Sequence, residues 1–292
     1  DQTLTGNTGL KGDGQTVSVV IGGQTYTGNV AADGSYSVSL PAAALATLPQ
    51  GNNAVVINVT DTAGNHTTLN TTVSVDTLAP TLTVNPLAGD GQISLAEAAG
   101  ELTLSGTASV SEAGRTVTLT VGGLSFIAVV GDNGVWSTTI PAGALSGLNG
   151  DFTVTATLSD TAGNTTTNTS SIHVAADATL QPAITVDIFA SDNAVDGAEV
   201  KTAQVLSGTT TRVEAGQIVT ITLNGQQYQA EVQASGKWSV IIPAADMVAL
   251  ADGSQTITVS VADKAGNPAT GSEDFTVIST DDGIAIDPVT GD

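Results

Sequence analysis

The sequence repeats itself, and the period limits what it can fold into. The five residues Asp61-Thr-Ala-Gly-Asn65 return as Asp160-Thr-Ala-Gly-Asn164 and as Asp263-Lys-Ala-Gly-Asn267, at steps of 99 and 103 residues. Pro41, Pro141 and Pro243 each open a Pro-Ala segment in the same register, and Tyr36, Trp136 and Trp238 each lie five residues before that proline. Gly22-Gly23, Gly122-Gly123 and Asn224-Gly225 keep step, as do Leu4-Thr-Gly6, Leu104-Ser-Gly106 and Leu206-Ser-Gly208. Self-similarity of this kind is the mark of a tandem array of one structural unit. Leu82-Thr-Val-Asn85, Ile184-Thr-Val-Asp187 and Ile284-Ala-Ile-Asp287 mark where a unit begins. The expected division is a first copy over 1–76 lacking its opening strand, complete copies over 77–178 and 179–280, and the first strand of a fourth over 281–292. Asp1 falls in the middle of the pattern, so a fragment of a longer protein is expected.

Within a copy the pattern is that of strands. Thr116 to Val121 reads Thr-Val-Thr-Leu-Thr-Val, a period-2 alternation rich in β-branched residues. Phe152 to Leu158 and Gln255 to Val261 alternate likewise. Gly122-Gly123 and Asn224-Gly225 stand between two such runs, a two-residue hairpin signal. On the second copy the expected strands are 82–86, 102–107, 116–121, 124–130, 135–140, 152–158 and 165–174, with a helical turn over Ala142–Leu148. About seven short strands per ~100 residues predict an immunoglobulin-like β-sandwich. The fold class is therefore all-β, tandem immunoglobulin-like sandwiches in an elongated array. Apolar residues make up 40% of the chain, enough for a core, whereas aromatics make up only 3%. The single aromatic at 36, 136 or 238 is expected to anchor each core, where a large ring buries most area.

Charge is the second constraint. There are 28 Asp and Glu against 6 Lys and Arg, a net charge of −22, which disfavours nucleic acid and anionic membranes. No apolar run is long enough for a transmembrane helix. The absence of cysteine excludes disulfides and thiolate metal sites but leaves an extracellular location open. The acids gather at the predicted domain ends. Asp61, Asp160 and Asp263 fall between the sixth and seventh strands, and Asp13, Glu112 and Glu214 between the second and third. Asp76, Asp177 and Asp281 fall in linkers, and Asp90, Glu97, Asp192, Asp196 and Glu199 between the first and second strands. Converging carboxylates suit Ca²⁺, which takes six to eight oxygen ligands. Mg²⁺ demands tighter geometry, and zinc is disfavoured because His66 and His173 occupy unmatched positions. The other reading is that these acids serve solubility and turns, since Asp and Asn bond their own backbone. The Asp-x-Ala-Gly-Asn loop reads both ways, as a ligand or as a turn capped by its own Asp.

Val75-Asp-Thr-Leu-Ala-Pro80, Gly89-Asp-Gly-Gln-Ile-Ser-Leu-Ala-Glu97 and Asp160-Thr-Ala-Gly-Asn164 together resemble the bacterial Ig-like repeats of giant Gram-negative adhesins. These are non-fimbrial, biofilm-associated and RTX-type proteins exported by type I secretion. The resemblance covers essentially the whole chain. It implies secreted, cell-surface tandem domains with calcium at the joints, and a role in adhesion to cells, surfaces or one another. By residue it implies Asp90, Glu97, Asp192, Glu199, linker Asp76 and Asp177, and loop Asp160 and Asp263 as ligands. The chain departs from the pattern at the second linker, Ala175-Ala-Asp-Ala-Thr-Leu-Gln-Pro182.

No Gly-x-Ser-x-Gly elbow with a histidine partner is present, and the paired carboxylates recur in every copy without an aromatic sugar platform, so no enzyme is expected. Three functions remain. The chain is a calcium-stiffened spacer of an adhesin, a module that itself binds a glycan or protein, or an accessory module of a secreted polysaccharide-degrading enzyme. Uniform layout across the copies favours the spacer. Partners are then a host-cell or abiotic surface, or other adhesin chains, reached through the full-length protein, and the fragment itself is expected to be monomeric.

Overall fold

The computed structural model describes residues 1–9 and 15–280; Asp13, Asp281 and the expected opening strand of a fourth copy lie outside the described residues. The first copy comprises β1 (Gln2–Asn7), β2 (Thr16–Ile21), β3 (Gln24–Asn29), β4 (Ser35–Leu40), the helical turn α1 (Ala42–Leu45), β5 (Gly51–Thr60) and β6 (His66–Val75). The second comprises β7 (Gln92–Ser94), α2 (Leu95–Ala99), β8 (Leu102–Thr107), β9 (Thr116–Val121), β10 (Leu124–Val129), β11 (Val135–Ile140), β12 (Asn149–Ser159) and β13 (Thr165–Ala175). The third comprises β14 (Ala183–Val186), β15 (Ala194–Val195), β16 (Gln204–Thr211), β17 (Ile218–Leu223), β18 (Gln226–Glu231), β19 (Lys237–Ile242), α3 (Ala244–Val248), β20 (Gly253–Ala262) and β21 (Pro268–Val277).

Each copy is a two-layer sandwich. In the third, the sheet β15-β21-β20-β17-β18 covers β14-β16-β19; in the second, β10-β9-β12-β13-β7 covers β11-β8; in the first, β3-β2-β5-β6 covers β1-β4. Alternation decides which residues face inward. β9 reads exposed-buried throughout, with Val117, Leu119 and Val121 all in the core. Three separate apolar cores result, one per copy. The third also holds Phe189 edge-on to Phe275, with ring centroids 4.9 Å apart. By contact the chain forms two compact units, Asp1–Pro80 with Ser159–Thr165, and Thr81–Leu158 with the residues from Thr166 onward. The loop between β12 and β13 thus belongs to the first unit.

One cross-strand pair recurs. Trp136 on β11 faces Gly106 on β8, Trp238 on β19 faces Gly208 on β16, and Tyr36 on β4 faces Gly6 on β1. Both tryptophans are 1% exposed. A Cβ added at Gly106 would collide with the Trp136 ring and the Thr83 carbonyl oxygen, and one at Gly208 with Trp238 and the Thr185 carbonyl. The glycine therefore lets the ring lie flat against the strand beneath the opening segment of the copy. Tyr36 takes the same place over Gly6 but is only half-buried. In the first copy β1 pairs with β4 alone among the described residues, and no further strand closes over that ring.

The Pro-Ala segment forms a short helix in the first and third copies only. In the second, Gly143 and Gly147 adopt φ of 75° and 83°, and the expected helical turn over Ala142–Leu148 becomes a series of tight turns. In the third, the Tyr228 hydroxyl donates to Asp246 Oδ2 at 2.8 Å and ties α3 to β18. Burial, followed by this carboxylate, pushes the Tyr228 hydroxyl up to about 12.

The glycine–tryptophan pair sets a sign test. Replacing an ordinary strand glycine by alanine stabilises by about 0.4–1 kcal/mol where the backbone permits it. Gly106→Ala is expected to destabilise the second copy instead, and Trp136→Ala to cost about 3–5 kcal/mol, as large aromatic truncations do. Urea unfolding followed by tryptophan fluorescence reads both, and a stabilised Gly106→Ala would refute the packing account.

Candidate functional site

The repeated Asp-x-Ala-Gly-Asn segment joins the last two strands of each copy. The turn closes through its backbone: the N–H groups of Asp61, Asp160 and Asp263 donate to the carbonyls of Asn65, Asn164 and Asn267, each at 3.0 Å. Gly64, Gly163 and Gly266 make the reversal at φ of 84°, 94° and 90°. The aspartate then closes the loop a second time. Its Oδ1 accepts the asparagine backbone N–H at 2.8 Å in every copy. Its Oδ2 accepts the asparagine Nδ2–H at 2.8, 2.8 and 2.9 Å. The amide of Asn65 and Asn164, followed by backbone N–H groups, holds the Asp61 and Asp160 carboxyls below the usual carboxylate range. The turn reading of this loop is therefore the one its geometry displays.

The asparagine has a second N–H to give, and it goes to the preceding copy. Asn164 Nδ2 donates to the carbonyl of Asp76 at 3.1 Å, and Asn267 Nδ2 to the carbonyl of Ala175 at 2.9 Å. Asp76 follows β6 directly and Ala175 ends β13, so the acceptor is the same place in each copy within one residue. At the second of these, Asn267 Oδ1 also accepts the backbone N–H of Leu95, the first residue of α2, at 2.7 Å. Asn267 is 3% exposed and Asp263 7%.

The remaining candidate ligands are spread over separate turns. Asp90 Oδ1 accepts Gln92 N–H and Asp192 Oδ1 accepts Ala194 N–H, at 2.8 and 2.9 Å. Glu97 completes a capping box with Ser94, taking the Ser94 N–H at 2.9 Å while Ser94 Oγ takes the Glu97 N–H at 3.2 Å. Asp196 and Glu199 make the same reciprocal pair at 2.8 and 3.1 Å. Asp76 Oδ1 accepts Leu78 N–H at 3.1 Å, and Asp177 Oδ1 accepts both Thr179 N–H and its hydroxyl. Those Thr179 bonds, with a smaller contribution from the Arg212 charge, hold the Asp177 carboxyl low. Glu112 accepts the Ser111 hydroxyl, and Glu214 the Lys264 N–H.

Calcium needs several carboxylates on one point. Among the described residues no three Asp, Glu or His side chains converge so that they could hold an ion. Among the described residues, at least one oxygen of each candidate carboxylate already accepts a turn, cap or hydroxyl hydrogen. The residues as arranged do not fit a preformed calcium cage. A shallow recess beside the Asn267 loop is lined by His173, Leu180, Arg212, Glu214 and Asp263, and the cation it contains is the Arg212 guanidinium. His173 Nδ1 lies 2.7 Å from Asp151 Oδ1.

The sequence reading overlooked the asparagines and concentrated on their acidic neighbours. The signal was present, because Asn65, Asn164 and Asn267 recur in the motif as faithfully as the aspartates.

Three family models, each described as a bacterial Ig-like domain, match residues 42–120 (group 3), 92–178 and 181–278. No curated protein matches the sequence. Among solved structures, a 1.5-MDa bacterial ice-binding adhesin, studied for its retention at the host cell surface, is 32% identical over 94% of this chain and 90% of that one, with a TM-score of 0.42. A Ca²⁺-stabilized adhesin with which an Antarctic bacterium binds ice is also 32% identical, over 94% and 68%, with a TM-score of 0.43. A tetra-tandem repeat from the extending region of a large adhesion protein is 28% identical over 95% and 70%, with a TM-score of 0.41.

The Asp61 and Asp160 carboxylates make an acid-stability prediction. Their folded-state affinity for protons is depressed, so the stability they add is present above the unfolded value, near 3.8, and is lost as pH falls through the folded one. Asp160→Asn should lower stability at neutral pH and flatten the loss below pH 3.8. Urea midpoints for both proteins across an acid series test this, and parallel curves would count against it.

Proposed function

The chain belongs to the bacterial Ig-like domain family, and from that premise we propose that it is an extension segment of a bacterial surface adhesin. It sits outside the cell and holds a distant binding region away from the surface, and its contribution is mechanical. The observation that carries this is uniformity: the same sandwich, the same glycine–aromatic pair and the same Asp–Asn loop recur, and among the described residues no copy carries an enlarged loop or an aromatic platform of its own. Among the described residues, no helix is long and apolar enough to cross a membrane. A chain without cysteine also suits type I export and folding outside the cell without an oxidase. Contact with host cells, abiotic surfaces or other adhesin chains in a biofilm then falls to the full-length protein.

Calcium enters through charge. A net charge of −22 attracts divalent cations, and a similar protein is described as Ca²⁺-stabilized. The second oxygens of Asp90, Asp177 and Asp192 accept no hydrogen bond among the described residues. In this reading calcium gathers at such uncommitted oxygens, at the ~10⁻⁴–10⁻³ M affinities usual for extracellular modules. Millimolar calcium, at roughly one to ten times such a Kd, adds about 0.4–1.4 kcal/mol per site to a folded state that alone binds it.

Two measurements separate the parts of this proposal. The purified chain should show no saturable binding on a glycan array or on cells, and a specific ligand there would replace the spacer by a recognition module. Its melting temperature should rise on passing from chelator to millimolar calcium, more than in equal magnesium. An unchanged value would remove calcium and leave the spacer standing.

A further inference from the structure

We propose that Asn267 is a metal-independent latch that fixes the second and third copies against each other. The inference stands apart from the calcium reading. A primary amide offers two donors and one acceptor oxygen. Asn267 uses all three: one N–H closes its own loop onto Asp263, the other crosses to Ala175, and the oxygen receives Leu95 N–H. The orientation is unique. Turning the amide over would set its NH₂ against the Leu95 N–H and its oxygen against the Ala175 carbonyl. The two targets belong to different elements of the second copy, the end of β13 and the start of α2. One side chain in the third copy therefore grips its neighbour at two points, and two contacts restrain rotation where one would act as a pivot.

Asp263 is the positioning residue. Both of its oxygens are spent on Asn267, which fixes the amide before the joint is made. The acid repeated at each joint thus serves to orient an amide, and the joint needs no ion to bring its carboxylates together. An aspartate at 267 would offer no donor to Ala175 and would set a second negative charge beside Asp263.

The chain's lack of cysteine makes the test direct. Ser137 and Ser239, exposed and equivalent in the second and third copies, are replaced by cysteine and spin-labelled, and the distance distribution between labels is recorded by pulsed electron resonance in chelator. The unaltered joint should give a single narrow peak without calcium. Leu95→Pro removes the N–H that Asn267 Oδ1 accepts. Proline suits this first helical position, because Ser94 before it is already extended at ψ 167°. That variant and Asn267→Asp should each lose the narrow peak, while Asn65→Asp, which alters the same loop in the first copy, should keep it. Should Asn267→Asp unfold the third copy, seen as exposure of Trp238, Leu95→Pro decides, since its change lies in the second copy. A wild-type distribution that is broad in chelator and sharpens only with calcium would overturn the proposal. So would a narrow peak that survives Leu95→Pro.

Discussion

Each sandwich depends on an aromatic ring laid over a glycine on the facing strand. With no disulfide and aromatics at 3% of the sequence, a copy has few large rings with which to fill its core. Gly106 and Gly208 supply the missing side-chain volume, and the Thr83 and Thr185 carbonyls close down on the same spot. Strand pairing, core filling and attachment of the opening segment thus meet at one pair of residues. The cost is visible too. The indole N–H groups of Trp136 and Trp238 are buried with no hydrogen-bond partner among the described residues. A lost hydrogen bond of that kind costs about 1–3 kcal/mol, and the same residue type retained in both places is consistent with packing outweighing it.

The acidic ends of the domains have the same character. A net charge of −22 suggests a surface waiting for cations, yet each described candidate carboxylate accepts a backbone N–H or a hydroxyl. Asp and Glu are there because short turns and helix starts leave N–H groups without partners, and a carboxylate accepts several at once. Ser94 in the second copy and Asp196 in the third each accept the N–H of the glutamate three residues on, and only one of them is charged. Charge and turn chemistry are separable in that comparison, and the turn is what persists.

The fold was legible in the sequence because period-2 alternation and turn pairs act locally. The buried faces of β9 and β20 could be read from their alternation. The tryptophans could be placed as well, since both hold the register of Tyr36, five residues before a recurring proline. The role of the loop was not legible in that way. Asp263 and Asn267 look like a turn wherever they occur, and only the position of Ala175, 92 residues before Asn267, shows that the amide also reaches outward. The difference at Ala142–Leu148 has a local cause that was overlooked, since Gly143 and Gly147 favour a turn over a helix. Asp and Glu at domain ends read two ways for a physical reason: the residues that bind calcium are also those that cap turns.

A joint closed by asparagine amides is exposed to chemical ageing. Asparagine deamidates when the backbone nitrogen of the next residue attacks the side-chain carbonyl, and the product is an aspartate or its isomer. Asn65 precedes His66 and Asn164 precedes Thr165, both of which carry the nitrogen and hydrogen this cyclisation uses. Asn267 precedes Pro268, whose ring nitrogen carries no hydrogen. The residue with the most hydrogen bonds to keep is thus the one for which the ordinary route of decay is closed. The proline that opens β21 protects the lifetime of the joint as well as the start of a strand.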